Sequence, residues 1–322
     1  MLKINPLSTL YVGIDVSSKS NYVCALDFYK NKYINSSFAN NQPGAEELAL
    51  KILECLKEHP DITTIVAALE STSVYSIHIA NYLSSCEELM RFKPYVFVLN
   101  PKCTANYKKS YIGLGKSDPI DAFVIADYAR AGNIESEPWR GSQFLALRRL
   151  TRHRLHLVEC MTREKTYLVS NLYLKFSELQ MLEGDDQPFC DIYGATSSSV
   201  LMEYFSPEEI LDSSEEDLIA FLAKKSRNRI KDISKTADLL KKAARDSYRL
   251  DKALYEPLNV SIASSFNCIE TFKREIKVID NAIEKEIKGL NPNAFIILQS
   301  IDGIGPVFAG GIIAEIGDIN GF

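Results

Sequence analysis

The chain of 322 residues carries 37 Lys and Arg against 42 Asp and Glu, a formal charge of −5, and 46% of its residues are hydrophobic. That length and apolar share suit a folded chain of about two domains. No apolar run approaches the ~20 residues of a membrane span, and residues 1–6 hold no signal-peptide stretch, which argues against an integral membrane or secreted protein. The seven cysteines are odd in number and scattered without a Cys-x-x-Cys pair, so they read as reduced, cytosolic thiols and argue against a structural zinc site.

Residues 10–15 and 20–27 read as a β-hairpin joined through Ser17, Ser18 and Lys19. An amphipathic helix over 43–57, a strand over 62–69, a helix over 76–84 and a strand over 95–99 follow, and 118–131 reads as a helix ended by Gly132. This alternation predicts an α/β layer. Beyond Trp139 strand signals stop and helices take over. From Leu258 to Ile287 the apolar positions follow the 4-3-4-3 spacing of a coiled-coil seam. A partner seam runs through Leu147, Thr151, Arg154, Val158, Met161, Lys165, Leu168 and Leu172, where Arg154 and Lys165 are poor core residues. Such a pair of seams fits an intermolecular coil or two core helices of one bundle. Residues 183–214 form a polar, Ser- and acid-rich insert, expected as loop with short helices. Residues 298–316 fit a helix, a turn with Gly303 and Gly305, and a second helix. That layout is a helix-hairpin-helix whose turn can approach a phosphate, or a plain helix–helix turn.

The acidic total hides a segregation of charge. Residues 91–117 hold six basic residues and no acid, 140–165 hold seven basic residues against two acids, and 224–252 hold eleven against four. Three such runs point to a polyanion partner, with Lys102, Lys108, Lys109, Lys116, Arg148, Arg149, Arg152 and Arg154 as the expected nucleic-acid contacts together with the Gly303 and Gly305 turn.

Two acids stand at strand ends, Asp15 and Glu70, where a rigid sheet fixes side chains beside an open cleft. Asp118 and Asp121 stand three apart and share one face of a helix. Four carboxylates in one cleft repel one another unless hard divalent cations such as Mg²⁺ or Mn²⁺ bind there, and two such ions would serve phosphoryl transfer. Capping accounts for the second pair equally well: Asp118 as N-cap, Pro119 as first helical residue and Asp121 as an acid complementing the helix dipole.

Gly13-Ile14-Asp15-Val16-Ser17, Ala68-Leu69-Glu70-Ser71-Thr72-Ser73-Val74-Tyr75, Leu99-Asn100-Pro101 and Lys116-Ser117-Asp118-Pro119-Ile120-Asp121-Ala122 together resemble the motif series of DEDD transposases of the insertion-sequence 110 family, relatives of the pilin-gene invertases. Ser73 stands where that family usually has Gly, and Ser117 where Thr is usual. The resemblance implies an α/β plus all-α chain in three parts. These are an RNase H-like (RuvC-like) domain over 1–137, a helical coiled-coil domain over 138–290 and the start of a C-terminal transposase domain over 291–322. It implies Asp15, Glu70, Asp118 and Asp121 as the metal-binding catalytic acids. It also implies recombination of DNA element ends and target directed by a structured guide RNA, in a homodimer or tetramer of the bacterial cytosol. A nucleophilic serine is expected beyond residue 322, so a truncated, inactive nucleic-acid-binding product is the alternative. An actin-like or sugar-kinase ATPase, which also opens on a first-strand Asp, would need a second α/β domain.

Overall fold

A computed structural model describes residues 4–111, 113, 115, 117–290 and 292–316. In chain order these form β1 (Thr9–Val16), β2 (Ser20–Leu26), β3 (Lys32–Ala39), α1 (Gln42–Glu58), β4 (Thr64–Glu70), α2 (Tyr75–Ser85), α3 (Glu87–Met90), β5 (Tyr95–Leu99), α4 (Pro101–Lys108) and α5 (Asp118–Arg130). Helices follow throughout: α6 (Ser142–Lys175), α7 (Ala195–Glu203), α8 (Pro207–Asp212), α9 (Glu215–Ser226), α10 (Ile233–Asp246), α11 (Lys252–Leu290), α12 (Pro292–Gln299) and α13 (Pro306–Ile316). The chain divides into two compact units, the first holding the residues up to Ala146 together with those from Ala314 on, and the second covering Leu147–Ile313.

The first unit is built on a five-stranded sheet of order β3-β2-β1-β4-β5, in which β1, β2 and β3 are antiparallel and β4 and β5 run parallel to β1. This mixed α/β arrangement is consistent with the RNase H-like fold. The hairpin falls where the sequence placed it, with Ser17 N donating to the Ser20 carbonyl and Ser20 N donating to Ser17 Oγ across the turn. Strand β3 was not anticipated, because only Ile34 and Phe38 of its eight residues are buried and its polar remainder suits a sheet edge. Both sheet faces are covered. Val12, Ile14, Ile65 and Leu69 pack with Leu48 and Ile52 of α1 and Ile79 and Leu83 of α2 on one side. On the other, Tyr11, Cys24, Val66, Ala68 and Phe97 meet Ala122, Ile125, Ala126 and Ala129 of α5. Gly13 sets the spacing of that second layer, since a Cβ there would stand 2.2 Å from the Ala122 carbonyl oxygen and 2.3 Å from the Ala126 nitrogen. No other residue type admits so close an approach of helix backbone to strand.

The second unit is helical, and the described residues hold no second sheet of the kind an actin-like ATPase needs. Its core joins Leu168 and Leu172 of α6, Leu218 and Leu222 of α9, Leu240 of α10 and Ile262, Phe266 and Ile269 of α11. Helices α6 and α11 run antiparallel, with Arg154 Nε donating to Asp280 Oδ1 at 2.5 Å and Lys175 Nζ donating to Asn259. The seam positions Ile262, Ser265, Ile269, Ile276, Ile283 and Ile287 are buried, with Ile283 and Ile287 lying beside Gly310 of α13. The two charged seam residues are accommodated individually, Arg154 by Asp280 and Lys165 by stacking its ammonium 4.7 Å from the Tyr193 ring. The insert over 183–214 holds the short helices α7 and α8, as its composition suggested.

The Gly13 contact yields a direct test. Gly13→Ala must push α5 off the sheet and is expected to lower stability by about 2–3 kcal/mol, read as a lower urea midpoint; an unchanged midpoint would show that the helix is not seated on β1 as described.

Candidate active site

The site grows from the ends of two adjacent parallel strands. Among the eight residues of β1, Asp15 alone is not buried, and Glu70 closes β4 after five buried residues. Ile14 pairs with Leu69, so the next residues along, Asp15 and Glu70, emerge side by side. Alternation along the strands puts both on the face that α5 covers, in line with Tyr11, Gly13, Val66 and Ala68. Helix α5 begins at Asp118, with Asp118 and Asp121 in its first turn, over these strand ends. The cap lies one residue earlier than the sequence suggested: Ser117 is the extended N-cap whose carbonyl accepts from Ile120 and Asp121 at 2.9 Å, and Asp118 is the first helical residue. Its carboxylate is therefore not used as a side-chain cap.

Helix α4 supplies the partners. Asn100 Oδ1 caps it by accepting from Lys102 N at 3.0 Å, and Pro101 opens it, which gives Leu99-Asn100-Pro101 a local purpose. One turn in, Thr104 is 2% exposed and its hydroxyl donates to Glu70 Oε1 at 2.5 Å. A further turn on, on the same face, Lys108 Nζ is paired with Asp121 Oδ1. Neither Thr104 nor the pairing of Lys108 was legible in the sequence. The available signal was an Asn-Pro cap at a strand end followed by two hydrogen-bonding side chains at helical spacing.

The four acids feel one another. Burial first, and then the charges of Asp121, Asp118 and Glu70, push the Asp15 carboxyl up to about 6, with Lys108 opposing. Among the described residues no three or more His, Cys, Asp or Glu side chains stand close enough to hold a metal ion together; Glu70 accepts from Thr104 and Asp121 is paired with Lys108. The donor set itself fits a hard divalent cation, since it consists of carboxylate oxygens whose mutual repulsion such an ion would relieve.

Behind the site, on the next turns of α5, Asp127 is fully buried and serves as an anchor. Its carboxylate accepts from Tyr107 Oη at 2.9 Å, from Arg130 Nε at 2.6 Å and from the Tyr111 hydroxyl, and is 3.2 Å from Lys30 Nζ. Burial alone would raise this carboxyl, but the bonds from Tyr111, Arg130, Tyr107 and Lys30 hold it below the usual carboxylate range. The same cluster ties α4 to α5 and thus helps fix Thr104 and Lys108.

Among the basic residues expected to contact nucleic acid, Lys102 and Lys109 lie exposed on and just after α4, whereas Lys108 faces Asp121. Arg149 and Arg152 are exposed and Arg148 half-buried on α6, and Arg154 is paired with Asp280. Gly303 takes a φ of +87° in the turn between α12 and α13, with Gly305 exposed beside it. Lys116 lies outside the described residues.

The chain matches a family model described as a transposase over residues 12–177, a span that contains all four acids. The chain belongs to the insertion-sequence 110 family of DEDD transposases. No curated protein gives a significant match.

Two predictions follow from the site. Ser73, in the loop after Glu70, sits in the left-handed region at φ +53°, where a glycine has no Cβ penalty. Ser73→Gly is expected to stabilise the protein by about 0.5 kcal/mol, net of the entropy glycine adds to the unfolded chain, and a fall in the urea midpoint would contradict it. For Asp15, a folded value near 6 against an ordinary 3.8 means that the native chain binds the proton more tightly between those pH values. Stability of the metal-chelated protein should therefore decline as pH rises from about 4 to 6 and level off above, and Asp15→Asn should flatten that decline. Parallel curves for wild type and variant would refute the assignment.

Proposed function

We propose that this transposase cleaves and transfers DNA strands at a site in which Asp15, Glu70, Asp118 and Asp121 hold divalent cations, Mg²⁺ or Mn²⁺. The observation that carries this reading is the seating of the first turn of α5 against the ends of β1 and β4, which leaves three other carboxylates acting on Asp15. When bound, the metal supplies Lewis-acid stabilisation of the attacking and leaving oxygens of a phosphoryl transfer. The chain's own side chains do the rest. Thr104 orients the Glu70 carboxylate, Lys108 offsets negative charge at Asp121, and two separate features, the close contact of Gly13 with α5 and the Asp127 anchor, hold the acids in place before substrate arrives.

Transposase membership implies DNA as substrate. The proposed contacts are Lys102 and Lys109 on the first unit, Arg148, Arg149 and Arg152 on α6, and the backbone of the Gly303 turn. Three functional parts, over 1–137, 138–290 and 291–322, belong to the same proposal. A structured guide RNA and a homodimer or tetramer rest on the family alone. A location with the nucleoid in the bacterial cytosol likewise rests on the family alone; no helix among the described residues is long and apolar enough to cross a membrane.

The test compares wild type with Asp15→Asn and Asp118→Asn on DNA carrying the element ends, with guide RNA and Mg²⁺ or Mn²⁺. Cleavage should fall by at least about 100-fold in both variants, corresponding to loss of several kcal/mol of transition-state stabilisation. DNA binding should persist and weaken with salt at a log-log slope of about −0.9 per phosphate contact. Metal-dependent cleavage that survives both substitutions would contradict the proposed site.

A further inference from the structure

Lys108 is the one basic side chain that, among the described residues, the structure pairs directly with an acid of the proposed metal site. Its position is built rather than incidental. Asn100 and Pro101 start α4, Thr104 binds Glu70 from a buried position one turn on, and Lys108 follows after another turn on the same face. The lysine and Asp121 side chains are 21% and 24% exposed, so the pair is largely withdrawn from water, and the lysine charge is also felt at Asp15. An ammonium held on Asp121 Oδ1 and a divalent cation drawn to the same carboxylates compete for one oxygen and repel each other. The lysine stem has four carbons and can swing its head away while the stem stays packed, which a guanidinium fork does less readily.

We propose that Lys108 is a displaceable internal cation of the acid site: it compensates the carboxylates in the metal-free chain, and metal loading must drive it off Asp121, so that Lys108 sets the metal affinity. This rests on the metal reading above and deepens it.

The experiment is calorimetric titration of the purified full chain with Mn²⁺, without nucleic acid, comparing wild type, K108M and K108R. K108M keeps the apolar stem and removes the charge, and should bind Mn²⁺ about tenfold more tightly than wild type, while K108R should bind no more tightly than wild type. In the metal-chelated state K108M should melt at a lower temperature than wild type, and saturating Mn²⁺ should abolish the difference. In wild type, the ¹⁵N resonance of the Lys108 ammonium should shift on adding Mg²⁺, a reading that needs no variant to fold. Equal or weaker Mn²⁺ binding by a natively folded K108M, or an unmoved ammonium resonance under saturating Mg²⁺, overturns the role of Lys108 alone. Absence of Mn²⁺ binding in all three proteins overturns the metal reading, and this inference with it.

Discussion

Helix α5 can carry two acids to the ends of β1 and β4 only because Gly13 lets its backbone lie directly on the strand. A methyl group at that position would meet the Ala122 carbonyl at 2.2 Å. The small residues Ala122, Ala126 and Ala129 continue the close contact along the helix, against Tyr11, Cys24, Ala68 and Phe97. A tightly packed layer of this kind has no slack to take up a shift. The separation of Asp118 and Asp121 from Asp15 and Glu70 is thus decided in the hydrophobic layer beside them, where Gly13 stands two residues before Asp15 and Ala122 directly follows Asp121.

That packing forces an electrostatic difficulty that the surrounding chain manages. Burial, and then the charges of Asp121, Asp118 and Glu70, raise the proton affinity of Asp15. Three local devices offset the repulsion without removing the acids: the Thr104 hydroxyl on Glu70, the Lys108 ammonium on Asp121, and the positive end of α5, whose first turn holds Asp118 and Asp121. Asp127 plays the opposite part. It is an acid of the same helix, fully buried, yet held ionised by two tyrosines, an arginine and a lysine, so it fixes α4 against α5. One helix therefore carries a fully bonded buried carboxylate, Asp127, and in its first turn Asp118 and Asp121, of which Asp121 is paired with Lys108.

The strands β1, β2, β4 and β5 and the helices α1, α2 and α5 were legible because their apolar periodicity reports burial directly. Strand β3 was hidden by its edge position, with Asn35, Ser36 and Ser37 facing solvent. Helix α4 was hidden by its Lys-rich, weakly apolar sequence, whose one buried side chain is Thr104. Helix α10 was masked in the same way: Ala237, Leu240, Ala243 and Ala244 form a clear buried stripe inside a stretch that reads as a basic run. The acids themselves stood out at strand ends and at a helix start. Their partners did not, because Thr104 and Glu70 are 34 residues apart and Lys108 and Asp121 are 13 apart, joined only by the fold. Ser73 is a milder case, a departure from the family's usual glycine whose meaning emerges only from its left-handed backbone.

The central claim is that Asp15, Glu70, Asp118 and Asp121 form a single charge-coupled site. Carbon-13 NMR titration of the Asp15 carboxyl in metal-chelated protein tests it most directly, in wild type and in Asp121→Asn. Asp15 is expected to titrate near 6 in wild type and lower in the variant, where burial still keeps it above the ordinary carboxylate range. An ordinary Asp15 value in wild type, or a raised one that does not move when Asp121 is neutralised, would contradict it.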